Sequence, residues 1–311
     1  MVRSILVPLD GSTFGEHALP MAASLASRAG ATLHLVHVHQ VVPPATVAGV
    51  TVMDTLDVHL RQDEHAYLAD VVRRVADKRS LSIKSALLEG EVCASLCDYM
   101  KAQSIELVVV STHGRGALGR FWLGSVTDEL VRESPAPILL NRPHEGKPDL
   151  KREIDVKNIL VPLDGHDLAE RILEPTIDMA KLWNASLLLL RVVKPVIRPT
   201  YLPEGTSVVG MTHSVLEEIN ALQQKQQEDA EAYLEQLAAR VRPRGLTVKT
   251  CVVVDEEPAS GILVEAQIRH ADLISMETHA RRGLSRLFLG SVADKIVRSG
   301  TAPVLLHHPV A

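Results

Sequence analysis

Short apolar runs alternate along the chain with longer amphipathic stretches, and the alternation is carried through twice. Ser4–Leu9 is almost continuously apolar, the pattern of a parallel strand covered on both faces. Thr13 and Glu16 have the spacing of a capping box and predict a helix running to about Ala29. Thr32–His39 predicts a second strand, and a helix over about 54–77 follows a loop with Pro43 and Pro44. A third strand falls within 81–88, a helix over about 94–102, and a fourth strand over 106–110. Ser125 then opens a last helix before a fifth strand, Ile138–Asn141. The second half repeats this order. Asp167 and Glu170 restate the helix start. A later helical pattern of Leu216, Ile219, Leu222, Leu234 and Leu237 carries the run Gln223 to Gln227 on a face read as solvated. Such alternation requires an α/β fold with a right-handed, doubly wound parallel sheet of five strands in each half.

The repeat shows in the letters as well as the pattern. The heptapeptide from Ile5 to Gly11 returns at 159–165, an offset of 154, while 112–126 returns as 278–292, an offset of 166. Tyr67 and Tyr233 already stand at the larger offset, so the second copy's extra length lies earlier, in the Pro- and Gly-containing stretch from Lys194 to His213. Two units of this length each bury a core. The expected domains are 1–143 and 157–311, joined by a polar linker over 144–156.

The segment 112–126 and its copy each lie between a strand and a helix N-terminus and carry glycines. That is a standard way to present backbone N–H groups and the helix dipole to a phosphate. In open α/β sheets ligands sit at the carboxyl ends of the strands, beside the switch in strand order. Ser125 and Ser291 each precede an Asp by three, so helix capping without any ligand is the alternative for both. Asp10 could likewise serve only its turn.

These residues resemble the universal stress protein family. Its nucleotide-binding branch carries Gly, two residues, Gly, nine residues, Gly, then Ser or Thr. The first half has Ser111, Gly114 and Gly124-Ser125 at that spacing, and the second has Glu277, Ala280 and Gly290-Ser291. The resemblance spans essentially the whole chain and identifies it as a tandem member, with an adenine-nucleotide α-hydrolase-like, Rossmann-like fold. It implies ATP, with or without Mg2+, as the ligand. The implied site is Pro8, Asp10, Val38, Ser111, His113, Gly114, Arg115, Gly124, Ser125 and Val126. A second, degenerate site would comprise Asp164, Val192, Glu277, His279, Ala280, Arg281, Gly290 and Ser291. The family also implies pairing of the two domains through their last strands, here Ile138–Asn141 with Val304–His307, and leaves a further homodimer open.

The departures have a physical sign. A β-carbon at a left-handed position costs roughly 1 kcal/mol or more, so Ala280 penalises the second loop. Glu277 adds a carboxylate beside a polyanion, which Arg281, Arg282 and Arg286 offset only in part. Copy one is expected to be the better site.

Composition excludes more than it assigns. A net charge of −5 offers no global attraction for nucleic acid or an anionic membrane. No apolar run approaches a bilayer span, and the stretch before Asp10 is too short for a signal peptide. Three cysteines cannot all pair, which favours a reducing cytoplasm. Cys93 and Cys97 stand at i, i+4 on a helix and read as small buried hydrophobes. His34, His37 and His39 put two imidazoles on one strand face, but no carboxylate or thiol obviously converges on them, so no metal is assigned. No catalytic constellation stands out either. The reading is an ATP-binding stress sensor or adaptor, with nucleotide mainly in domain 1; a slow ATP hydrolase and a nucleotide-free interaction protein are the alternatives.

Overall fold

The computed structural model describes residues 2–41, 46–47, 50–51, 53–112, 124–143, 146–197, 213–278 and 289–308. Apart from a short antiparallel pair, Thr46–Val47 with Val50–Thr51, the strands among these are β1 (Ser4–Leu9), β2 (Thr32–His39), β3 (Ile83–Glu89), β4 (Leu107–Ser111), β5 (Ile138–Asn141), β6 (Asn158–Pro162), β7 (Ser186–Val193), β8 (Val248–Val254), β9 (Leu273–Glu277) and β10 (Val304–His307). The longer helices are α1 (Leu19–Ala29), α2 (Met53–Ala76), α3 (Val92–Ala102), α4 (Ser125–Glu133), α5 (Leu173–Trp183), α6 (His213–Val241), α7 (Pro258–Ile268) and α8 (Ser291–Ser299). Each half thus supplies five strands, as the alternation requires. No helix among the described residues is long and apolar enough to cross a membrane.

The chain divides into two compact units, 1–155 with 278–289 and 303–311, and 156–277 with 290–302. In the first, the strand order is β3-β2-β1-β4-β5-β10. The first five strands are parallel, and β10 lies antiparallel to β5, with Leu305 opposite Leu139. The two last strands pair as expected. In the second unit the order is β8-β7-β6-β9, all parallel. Central strands are buried because they are apolar throughout: Ile5, Leu6, Val7, Val108 and Val109 are fully covered. In the first unit the chain winds outward from β1 to β3 and then returns to β4, so the switch in strand order falls between β1 and β4.

The repeat reaches into chain termination. α1 ends on Gly30 at φ 64°, and at the matching place α5 ends on Asn184 at φ 54°, the two residues that best tolerate a left-handed helix cap.

Three local expectations are corrected. Thr13 caps nothing: the chain enters α1 through a 3-10 turn, Gly15–Ala18, with Phe14 as N-cap and no side-chain cap bond. Glu16 is buried and accepts two hydrogen bonds from Arg74 of α2 at 2.7 and 2.8 Å. Glu170 is likewise turned to Arg240, 3.0 Å away. In both copies long-range ion pairing outcompetes local capping. α3 begins two residues earlier than expected, because the Glu91 carboxylate accepts from the N–H groups of Cys93 and Ala94. Leu222 is 54% exposed, since α6 buries only its C-terminal part, including Leu234 and Leu237.

Candidate functional site: a crevice at the strand switch of the first unit

Beyond the carboxyl ends of β1, β2 and β4 lies a crevice of about 550 Å³. β1 contributes Pro8, Leu9 and, just beyond it, Asp10; β2 contributes Val36, His37 and Val38; β4 contributes Val110 and Ser111. Gly124, Ser125, Val126 and Thr127 close one end and Val92 and Leu96 of α3 form part of the wall. Seven of the expected residues therefore come together: Pro8, Asp10, Val38, Ser111, Gly124, Ser125 and Val126. His113, Gly114 and Arg115 lie outside the described residues.

The chain makes the site in simple steps. Asp10 Oδ1 accepts from the Ser12 backbone N–H at 3.0 Å and from the Ser12 hydroxyl at 2.6 Å, so Asp10 does serve its turn while facing the crevice. A β-carbon on Gly15 would lie 2.6 Å from Asp10 Oδ1, so any side chain there would push the carboxylate aside. At the other end, Gly124 is the N-cap of α4 and, among the described residues, no side chain caps the helix. Ser125 is the first helical residue and does not serve as the cap, contrary to the ligand-free alternative. The N-terminal N–H groups of α4 thus face the crevice with no side-chain cap from the described residues. The Ser111 hydroxyl is buried at the wall with no hydrogen-bond partner among the described residues, an orphan that a bound polar group would satisfy.

Sequence reasoning missed Phe14, His37, Gln40 and Glu64, which also line the crevice. His37 Nδ1 donates to the Leu9 carbonyl at 2.7 Å, and its Nε2 lies 3.3 Å from Glu64. Its neighbour on the same strand face, His39, is 1% exposed and held from both sides. Nδ1 donates to Glu64 at 2.7 Å and Nε2 to Asp57 at 2.8 Å. Burial alone lowers the His39 pKa, but the hydrogen bonds and charges of Asp57 and Glu64 outweigh it and raise the pKa above the ordinary value. Carboxylates do converge on this strand after all. Both come from α2, Asp57 four residues before Arg61 and Glu64 three after it, and the Arg61 guanidinium bridges Asp57 and Glu89. Only the third dimension brings them to β2. His34 points elsewhere, to the Tyr99 hydroxyl at 2.9 Å.

The second unit fills the corresponding space with its own side chain. Arg191 occupies the repeat position of His37, and its guanidinium lies 5.2 Å from the centre of the Tyr233 ring. A β-carbon on Gly165 would stand 2.7 Å from Arg191 Nη1, whereas its counterpart Gly11 has nothing within 4 Å. Asp164 keeps the turn, accepting from the His166 N–H at 3.0 Å. Val192 packs near Gly261, Glu277 is 4% exposed at the end of β9, and Gly290 precedes Ser291 of α8 at φ 87°. His279, Ala280 and Arg281 lie outside the described residues.

The Universal stress protein family model matches residues 1–142 and 155–308. A universal stress protein of Mycolicibacterium smegmatis is 27% identical over 315 residues, covering 98% of this chain and 97% of its own. One from Mycobacterium tuberculosis is 26% identical over 310 residues, covering 98% and 96%. Among solved structures, a universal stress protein from Archaeoglobus fulgidus shares the fold with a TM-score of 0.70 at 15% identity over 98% of each chain. The chain is a member of the universal stress protein family, built from two copies of its domain in tandem.

Proposed function

We propose that the chain binds an adenine nucleotide, ATP above all, in the crevice of domain 1 (1–143), and acts in the cytoplasm as a stress-response sensor or adaptor. The observation that carries this reading is the crevice itself. Its volume of about 550 Å³ lies within the roughly 300–1,000 Å³ used by small-molecule and cofactor sites. It stands at the strand switch, with apolar walls for a base, the start of α4 for phosphates and the Ser111 hydroxyl, unpartnered among the described residues, for a polar group. The residues present fit the ligand. Pro8, Val38 and Asp10 would hold the base end, and Ser111, Gly124, Ser125 and Val126 the ribose and phosphates, with His113, Gly114 and Arg115 completing the loop. Mg2+ would accompany the phosphates and supply charge neutralisation there.

Domain 2 (157–311) would bind weakly or not at all, because Arg191 occupies the matching space. Binding without turnover suits a sensor, since an occupied state that persists can stabilise one conformation by its differential affinity. The test is melting temperature with and without ATP, alongside released phosphate in the presence of magnesium. The reading predicts a rise in melting temperature with little phosphate over minutes. Sustained release near one turnover per second would assign a hydrolase, and no shift at millimolar ATP would leave an interaction protein.

A further inference from the structure

Behind the crevice wall, α3 and α4 meet across a group of side chains that has no role in the nucleotide reading. Cys93 and Cys97 lie on one face of α3, 0% and 7% exposed. Glu129 and Glu133 lie on the facing side of α4. One ligand atom each from Cys93, Glu129 and Glu133 falls within 4.8 Å of the others. Cys97 lies one turn further along α3, and its thiol donates to the Glu133 carbonyl at 3.7 Å.

The repeat shows what this group lacks. At the same four places the second copy has Ala259, Leu263, Lys295 and Ser299. There Lys295 of α8 forms an ion pair with Glu257 at the start of α7, tying the two helices by opposite charges. In the first copy the counterparts are Glu129 and Glu91, both acidic, and Glu91 is occupied in capping α3. Among the described residues no cation pairs with Glu129 or Glu133. Lys101, whose charge reaches Cys97, lies 4.0 Å from Asp98. Where copy two holds its helices with a positive charge, copy one presents two thiols and two carboxylates.

We infer that Cys93, Cys97, Glu129 and Glu133 form a site for a thiophilic divalent cation of the Zn2+ class, which ties α3 to α4. Two sulfur and two oxygen donors from pairs at i, i+4 on facing helices match a four-coordinate site, and thiolates select Zn2+ over Mg2+ or Ca2+. Metal–ligand distances of roughly 2.0–2.3 Å require Cys93, Glu129 and Glu133, now within 4.8 Å of one another, to close inward and the Cys97 thiol to turn from the Glu133 carbonyl as the fourth donor. Coordination displaces the two thiol protons to solvent. The exposed Glu133 leaves an entry path. Because Val92 and Leu96 of α3 and Ser125, Thr127 and Leu130 of α4 line the crevice, the metal would fix its wall.

Co2+ titration of the full-length, reduced, chelator-treated chain tests this, since Co2+ bound by thiolate shows a charge-transfer absorption in the near ultraviolet. The expected result is one equivalent of Co2+ with that absorption, displaced by Zn2+ and unchanged in Cys251→Ser. It should be lost in Cys93→Ser/Cys97→Ser, and binding should weaken at least tenfold in Glu129→Gln/Glu133→Gln, whose side chains are less buried and leave the core intact. No thiolate absorption with excess Co2+ would overturn the proposal. So would an absorption that survives in the double serine variant, or undiminished affinity in the double glutamine variant. These readings use no nucleotide and stand apart from the test of ATP binding.

Discussion

The guanidinium of Arg191 lies against Gly165 and over the Tyr233 ring, at the position where the first copy has His37 beside an open crevice. The exchange of His37 for Arg191 is the one that puts a side chain across the matching space. Arg191→His is expected to open the second crevice, adding a second, weaker ATP-binding event in calorimetry. Combining it with Glu277→Gly and Ala280→Gly should strengthen that event. An unchanged stoichiometry in the folded triple variant would show that something other than this side chain and the altered loop closes the second site.

Asp10 and Gly15 are in such close approach that a methyl group on Gly15 must displace the carboxylate. Gly15→Ala should therefore weaken ATP binding about as much as Asp10→Ala, by about tenfold or about 1.4 kcal/mol each. The double variant should be little worse than either single one, because both changes remove the same group. Full additivity in a double-mutant cycle would separate the two effects.

Burial divides the two Glu–Arg pairs that link the first helical turn to the long helix. Glu16 is 4% exposed and receives two bonds from Arg74. Removing the arginine leaves a buried, unpaired carboxylate, and Arg74→Ala should cost about 3 kcal/mol. Arg240 makes a single bond to Glu170 from a largely exposed position, so Arg240→Ala should cost less than about 1 kcal/mol. Denaturant melts of the two variants check this; equal losses would contradict it.

His39 faces two carboxylates with both ring nitrogens donating, which only the imidazolium can do. Its folded-state pKa is raised, so its stabilising contribution is complete below the unfolded value of about 6.5. That contribution is lost as pH rises through the folded value. The stability advantage of the unmodified chain over His39→Gln should be largest near pH 6 and shrink from about pH 6.5 upward. An advantage that stays constant from acid to alkaline pH would mean that folding leaves the His39 pKa unshifted, and one that grows with pH that His39 is held neutral.

Much of this was legible in the letters. A nearly continuous apolar run located β1, the alternation of segments located β2 and β5, and the repeated loop spacing located the end of the crevice where α4 begins. The parts that were not legible depend on partners distant in the chain. Glu16 has the sequence position of a capping residue, yet Arg74, 58 residues away, binds it. Asp57 and Glu64 sit inside an ordinary amphipathic helix until α2 packs on β2. Nothing in the letters marks Arg191, whereas in the fold its length lets it fill the space that His37 leaves open.

The central claim is that ATP occupies the crevice of the first domain, and the most direct measurement transfers the second copy's plug into the first. Calorimetric titration of ATP into the unmodified chain and into His37→Arg, with Asp10→Ala as a second variant and melting curves to confirm folding, should give one site in the former and at least tenfold weaker binding in both variants. Unchanged affinity and stoichiometry in folded His37→Arg and Asp10→Ala would place the nucleotide elsewhere and contradict the account.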